Sequence, residues 1–164
     1  MTDRPASPDP DTAPAGVETP AGPDFATTLR VRDACLCLQV QRAARALARR
    51  FDDAFRPVGL TSGQFSLLMA LNRPDPPTMG QVAATLAMDR TTLTANLKPL
   101  EKQGLLTVVP DAADRRVRRL VLTEAGRTAL RRALPAWEAT QAALHATLGD
   151  ADADSLCRAL GLLT

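Results

Sequence analysis

Between residues 61 and 123 the chain sets a helix-capping residue at four successive points, with a hairpin pattern before the last of them. Thr61 precedes "SGQFSLLMAL" and has Gln64 three residues later, the pairing of a capping box. Its inward face is expected to be Phe65, Leu68 and Met69, and "NRPDPP" ends it. Thr78 precedes a short run with Met79, Val82, Ala83 and Leu86 at i, i+3, i+4 and i+7. Asp89 precedes "RTTLTANLKPLEKQG", which Gly104 closes. Two β-like runs follow, 105–109 and 117–122, and Thr123 then opens a long helix to about Leu148. A short helix, a tight turn, a second helix and a β-hairpin form a winged helix-turn-helix, here over about 60–122.

The flanks do not fit inside that unit. Leu36, Val40, Ala44, Leu47, Phe51 and Phe55 form one apolar stripe, which predicts a single helix of about 30 residues ending before Pro57. Such a helix spans roughly 45 Å. Arg42, Arg45 and Arg49 face away from the stripe. The helix after Thr123 carries Leu130, Leu134, Trp137, Leu144 and Leu148, and a last one from about Ala151 carries Leu156, Ala159, Leu160 and Leu163. The fold class is therefore mainly α: a winged helix-turn-helix unit with long flanking helices, of a length that often serves assembly. The division is 1–24, an acidic Pro-rich tail; 25–59, a first flanking helix; 60–122, the winged unit; and 123–164, C-terminal flanking helices. The tail holds six of the 13 prolines and too few large apolar side chains to offset chain entropy, so disorder is expected.

Charge is divided unevenly. Residues 1–24 hold five acids and one base, which leaves 19 bases and 13 acids to the rest of a chain whose net charge is +2. A basic folded part suggests an anionic partner. Four of its bases, Arg115, Arg116, Arg118 and Arg119, crowd five positions at the hairpin tip. Alternation along the outgoing strand would put Arg116 and Arg118 on one face and Arg115 and Arg119 nearer the other. Asp114 can hold one guanidinium in a bidentate fork. An arginine so aimed suits a narrow minor groove, whose negative potential attracts it.

The helix after Asp89 supplies a second surface. Leu93, Leu97 and Leu100 share one face and go to the core. The opposite face carries Thr91, Ala95, Lys98 and Lys102, flanked by Thr92 and Thr94, with Arg90 in the first turn. Short, polar side chains without acids allow a helix into the major groove, roughly 12 Å wide. Threonine can donate, accept, or touch a thymine methyl, while lysine suits phosphate. Pro99 removes one hydrogen bond to Ala95, but near the C-terminal end, so base reading should fall to Arg90 through Asn96.

The stretches "GLTSGQFSLLMAL", "MGQVAATLAMDRTTLTANLKPLEKQGLL" and "DAADRRVRRLVLTEAG" resemble the multiple-antibiotic-resistance regulator (MarR) family over roughly residues 33–150. The Asp114-Arg115-Arg116 wing followed by "LTEAG" is the specific part. The resemblance implies an obligate homodimer, built by the first and last two helices, that presents two recognition helices and two wings to a palindromic double-stranded DNA operator. Half-sites would lie roughly 34 Å apart. It also implies that Arg116 enters the minor groove oriented by Asp114, and that DNA binding represses. Ala95 stands where relatives often carry arginine, which alters base preference and not docking. A small effector, aromatic and often anionic, would sit between dimer body and winged unit. Trp137 and His145 could lie near it, although Trp137 on an apolar stripe reads more simply as core.

Other classes fit less well. One histidine cannot build a metal site, and neither a nucleophile elbow nor a phosphate loop is present, so no enzyme and no cofactor are expected. A winged helix used only for protein contacts would not require four arginines. A thiol switch centred on Cys37 is the remaining rival; Cys35 and Cys37 face apart on a continuous helix and cannot bridge there. The chain lacks 18 consecutive apolar residues and a basic-then-apolar leader, so no membrane contact and a cytoplasmic location with reduced thiols are expected.

Overall fold

The computed structural model describes residues 22–149 and 152–164, so the expected disordered tail lies almost wholly outside the described residues. Backbone contacts divide the chain into two units, Met1–Val40 and Gln41–Thr164.

In the first unit α1 (Phe25–Ala34) starts at Asp24, whose carboxylate accepts the Thr27 N–H at 2.8 Å. The single long helix expected from the apolar stripe is interrupted. Cys35 is extended (φ −74°, ψ 105°) and α2 (Leu36–Phe55) begins after it. A helix end leaves carbonyls without partners. One of them, Arg32 O, accepts the Gln39 side-chain amide at 2.7 Å across the break. Cys35 and Cys37 therefore do not lie on one uninterrupted helix, and helical facing does not separate them.

In the second unit α2 runs into a 3₁₀ turn, Arg56–Val58, closed by Gly59 in the left-handed region (φ 73°). Then come α3 (Ser62–Leu71), α4 (Met79–Thr85), α5 (Arg90–Lys102), β1 (Leu106–Pro110), β2 (Arg118–Leu122), α6 (Glu124–Leu148) and α7 (Ala153–Gly161). The expected capping box forms, Thr61 with Gln64, and the cap at Thr78 closes a second one with Gln81. The α4–α5 turn places Ala87 at φ 48°, with Met88 N–H returning to Ala83 O at 2.9 Å. Helix α5 continues through Pro99 without interruption.

The core gathers Phe55, Leu60, Phe65, Leu67, Leu68, Leu71, Val82, Leu93, Leu97, Leu100, Leu106, Leu120, Leu122, Leu130 and Ala133. Phe55 and Phe65 stack at 4.6 Å between ring centroids. Two expected inward residues are not core. Met69 stays 42% exposed, its place on α3 taken by Leu67 and Leu71, and Trp137 on α6 is 37% exposed. The stripe of α2 is buried only at Phe55, and Leu36 and Leu47 remain exposed. Leu156, Leu160 and Leu163 on or beside α7 are exposed as well.

The hairpin is antiparallel, pairing Leu106 with Leu122, Val108 with Leu120 and Pro110 with Arg118. It joins α6 through Thr123, whose hydroxyl donates to Gly104 O at 2.7 Å and accepts from Gly126 N–H at 3.1 Å. Here α6 presses its first turn onto the chain entering β1. A Cβ on Gly126 would lie 2.1 Å from Leu105 O and 2.7 Å from Leu122 Cδ1. Backbone cannot yield as a flexible side chain does. Gly126→Ala is therefore expected to lower stability by about 2–3 kcal/mol despite its better helix propensity, read as a lower denaturant midpoint at unchanged slope.

Candidate nucleic-acid interface

Helix α5 divides by face as its sequence requires. Leu93, Leu97 and Leu100 are buried, whereas Arg90, Thr91, Thr92, Thr94, Ala95, Asn96, Lys98 and Lys102 are all exposed. Among the expected contacts, however, the threonines are not equivalent. Asp89 caps the helix by accepting the Thr92 N–H at 2.8 Å and its hydroxyl at 2.6 Å. Those bonds, the hydroxyl's first, hold the Asp89 carboxyl below the ordinary carboxylate range. Thr94 donates its hydroxyl to Arg90 O at 2.7 Å. The hydroxyl protons of Thr92 and Thr94 are thus committed, and among the described residues Thr91 is the threonine of this face whose hydroxyl proton is not.

The hairpin tip departs from strand alternation. Arg115 and Arg116 lie in the turn before β2, and only Arg118 and Arg119 are in the strand. Arg115, Arg116 and Arg118 are exposed. Asp114 Oδ1 accepts the backbone N–H of Arg116 at 3.0 Å, so in the protein without DNA it fixes the turn and does not fork that guanidinium. The reason is spacing: an aspartate reaches the N–H two residues on and closes an Asx turn.

The aspartate–arginine pair of the hairpin is instead one that sequence reasoning missed, Asp111 with Arg119. Asp111 is 9% exposed, the one buried charged side chain among the described residues. Its Oδ2 accepts Arg119 Nε, and its Oδ1 accepts the N–H groups of Ala113 (2.8 Å) and Asp114 (3.0 Å). Arg119 Nη1 also donates to Pro76 O at 2.7 Å, and Leu120 N–H donates to Pro77 O at 2.9 Å. The Arg119 guanidinium first, and then the two backbone donors, pull the Asp111 carboxyl down to about 2. The only available signal was the Asp–Arg spacing of eight across a turn, which competes with several equivalent pairings in the same stretch.

A separate apolar cleft of about 380 Å³ lies between α3, the end of α4 and α6, lined by Phe65, Met69, Leu86, Leu134 and Trp137, with Ser66 and Thr85 at its side. Trp137 therefore faces a cavity and not the core. His145 does not line it; it lies within 3.4 Å of the Gln141 side-chain amide, one turn away on α6. Among the described residues no group of three or more His, Cys, Asp or Glu could hold a metal, and no helix is long and apolar enough to cross a membrane.

Comparison with known proteins places this architecture. A model of the MarR family matches residues 58–117. The transcriptional activatory protein BadR of Rhodopseudomonas palustris is 34% identical over 95 residues, 56% of this chain. The matched stretch spans about half (54%) of BadR's length. The M. tuberculosis transcriptional regulator MosR, solved in complex with DNA, superposes with a TM-score of 0.72 at 40% identity, covering 79% of this chain and 92% of MosR. The transcriptional repressor CouR on a 23-mer DNA duplex gives 0.72 at 28% identity, covering 87% and 99%. CouR bound to p-coumaroyl-CoA gives 0.69 at 29% identity, covering 78% and 90%. These relatives are regulators and not enzymes.

The depressed Asp111 carboxyl sets a pH dependence. A group whose folded value lies below its ordinary one contributes stability above the ordinary value and loses it as pH falls through the folded value. The wild type is therefore expected to be more stable than Asp111→Asn above about pH 4, with the difference shrinking toward pH 2. Thermal melts of both proteins across that range measure it.

Proposed function

The chain belongs to the MarR family of winged helix-turn-helix transcriptional regulators, and on that footing we propose that it represses transcription by binding a palindromic DNA operator as a homodimer, and that a small apolar ligand releases it. One observation carries the DNA reading. Two basic surfaces, the outer face of α5 and the hairpin tip, are held on one core, and among the described residues no arginine side chain of the tip except that of Arg119 makes a hydrogen bond or ion pair. Lys98 and Lys102 suit phosphates, Arg90 to Asn96 suit base edges, and Arg115, Arg116 and Arg118 suit the minor groove and its phosphates. The exposed leucines of α2 and α7 support the dimer, since a monomer would leave Leu36, Leu47, Leu156, Leu160 and Leu163 in water. The repressive sign is taken from CouR, a transcriptional repressor, whereas BadR is a transcriptional activatory protein.

Arg116→Ala is expected to weaken binding to a duplex enriched from a random library by the wild type by at least about 1 kcal/mol per site. The salt slope should fall by about 0.9 for each phosphate that the variant no longer neutralises. Fluorescence anisotropy across a salt series measures both, and unchanged affinity and slope would overturn the assignment.

The cleft between α3 and α6 supports the effector's place and revises its chemistry. Its lining is almost wholly apolar, with Ser66 and Thr85 as the polar side chains near it and no charged side chain. An uncharged aromatic body is therefore the moiety it suits, and any anionic group would project outside. Because Trp137 lines the cleft, a planar aromatic ligand that dissociates the DNA complex should quench tryptophan emission in the same concentration range. Leu134→Arg should abolish quenching and release together.

The alternative of a thiol switch keeps one structural argument, the extended Cys35 two residues before exposed Cys37. The apolar cleft favours the ligand reading over it.

A further inference from the structure

We propose that Asp111 and Arg119 are positioning residues for DNA binding: the pair fixes the angle of the hairpin tip against the α4–α5 unit, so that Arg115 and Arg116 reach DNA only while it is closed. The inference rests on the DNA-binding reading above. It starts from a disparity within the arginine cluster. Three of its members are exposed, with side chains that make no hydrogen bond or ion pair among the described residues, whereas Arg119 is withdrawn into the hairpin base.

The bonds that shape the tip converge on Asp111, directly or through Asp114, whose amide Asp111 holds. Its N–H donates to Val117 O at 2.9 Å and closes the loop. Its Oδ1 holds the amides of Ala113 and Asp114. Asp114 in turn holds the amide of Arg116 through Oδ1 and that of Val117 through its carbonyl, at 3.0 and 2.9 Å. The turn carrying Arg115 and Arg116 is thus suspended from one carboxylate. That carboxylate's remaining oxygen is gripped by Arg119, which spans to Pro76 O. Pro76 lies two residues before Thr78, the cap of α4, and Thr78 itself forms a single antiparallel bridge with Arg119. Asp111 and Arg119 are therefore the side chains that link the tip to the start of the helix-turn-helix.

An arginine forks a carboxylate and a carbonyl in one plane, which a lysine cannot do. The linkage is accordingly a matter of geometry and not of charge alone. Electrostatics makes the opposite forecast from positioning. Asp111 is an acid beside a surface that meets phosphates, so removing its charge should strengthen DNA binding if charge is all that matters. If it positions the tip, removing it weakens binding.

The test uses the full chain, the duplex enriched by the wild type and a random duplex of equal length. Asp111→Asn and Arg119→Lys are each expected to lose about tenfold in affinity for the enriched duplex. Binding to the random duplex and the salt slope should stay as in the wild type, and the double variant should lose no more than the worse single. In the wild type, the exposed-loop amides of Ala113 and Asp114 should exchange slowly by hydrogen–deuterium exchange, and quickly in Arg119→Lys. Asp111→Asn binding as tightly as the wild type, or tighter, overturns the proposal. So does a shallower salt slope in Arg119→Lys, which would make Arg119 a phosphate contact, and so does fast exchange at Ala113 and Asp114 in the wild type. Should Asp111→Asn fail to fold, the wild-type exchange and Arg119→Lys decide alone. Arg116→Ala, measured alongside, separates the two readings: if it too binds normally, the DNA-contact reading fails; if it alone weakens binding, only the positioning pair does.

Discussion

The hairpin has to be held, because two antiparallel strands alone are marginal in water. Leu106, Leu120 and Leu122 hold it by entering the core with Leu93, Leu97 and Leu100 of α5 and Leu68 and Leu71 of α3. Recognition helix and wing are consequently two outer faces of one apolar block, and neither can move far without opening the other's leucines to water. At roughly 25 cal/mol per Å² of apolar surface, each leucine so buried favours the assembled state by about 1.5–3 kcal/mol relative to exposure. The polar bonds of the tip then act on what this burial leaves undetermined, the orientation of residues beyond Leu120. That division explains why the charged device sits at the hairpin's outer base, past the last buried leucine.

Caps and periodicity made most of this legible in the sequence. As caps, Thr61, Thr78, Asp89 and Thr123 each accept an N–H from three residues on, a spacing that the local sequence announces. The face division of α5 was readable for the same reason. What escaped depends on distance along the chain. Pro76 O meets Arg119 across 43 residues, and no local rule ranks Arg119 above its three neighbours as the partner of Asp111. Trp137 and Met69 obey a helical stripe yet face a cleft, because a stripe tells which side of a helix is apolar and not what covers it. The break at Cys35 had no glycine or proline to announce it.

The recognition face has a chemical consequence that the residue types alone conceal. Threonine was expected to donate as readily as accept. With Thr92 committed to Asp89 and Thr94 to the Arg90 carbonyl, donation to a base acceptor from either would first require breaking a bond of 2.6 or 2.7 Å. With their protons so committed, both would favour thymine methyls and the amino groups of adenine or cytosine in the proposed complex. Donors for guanine must then come from Arg90, Thr91, Asn96 or Lys98, and Ala95 at the centre contributes a methyl only. Such a face would combine apolar contact at Thr92, Thr94 and Ala95 with the bidentate capacity of Arg90 and Asn96.

The proposed wing contacts add a different kind of information. Arg115 and Arg116 would act where the minor groove reports width and not a unique base code, so what they add to specificity would be set by how well their spacing from α5 matches the local shape of the duplex. A wing free to swing would fit narrow and wide grooves alike and discriminate between them poorly. Rigidity at the hairpin base converts groove width into a difference in binding energy, since a fixed tip can follow the wrong groove only by distorting itself or the DNA. The buried Asp111 is consistent with that requirement: a carboxylate with three donors, one of them a guanidinium, permits far fewer orientations of the tip than a solvated loop would.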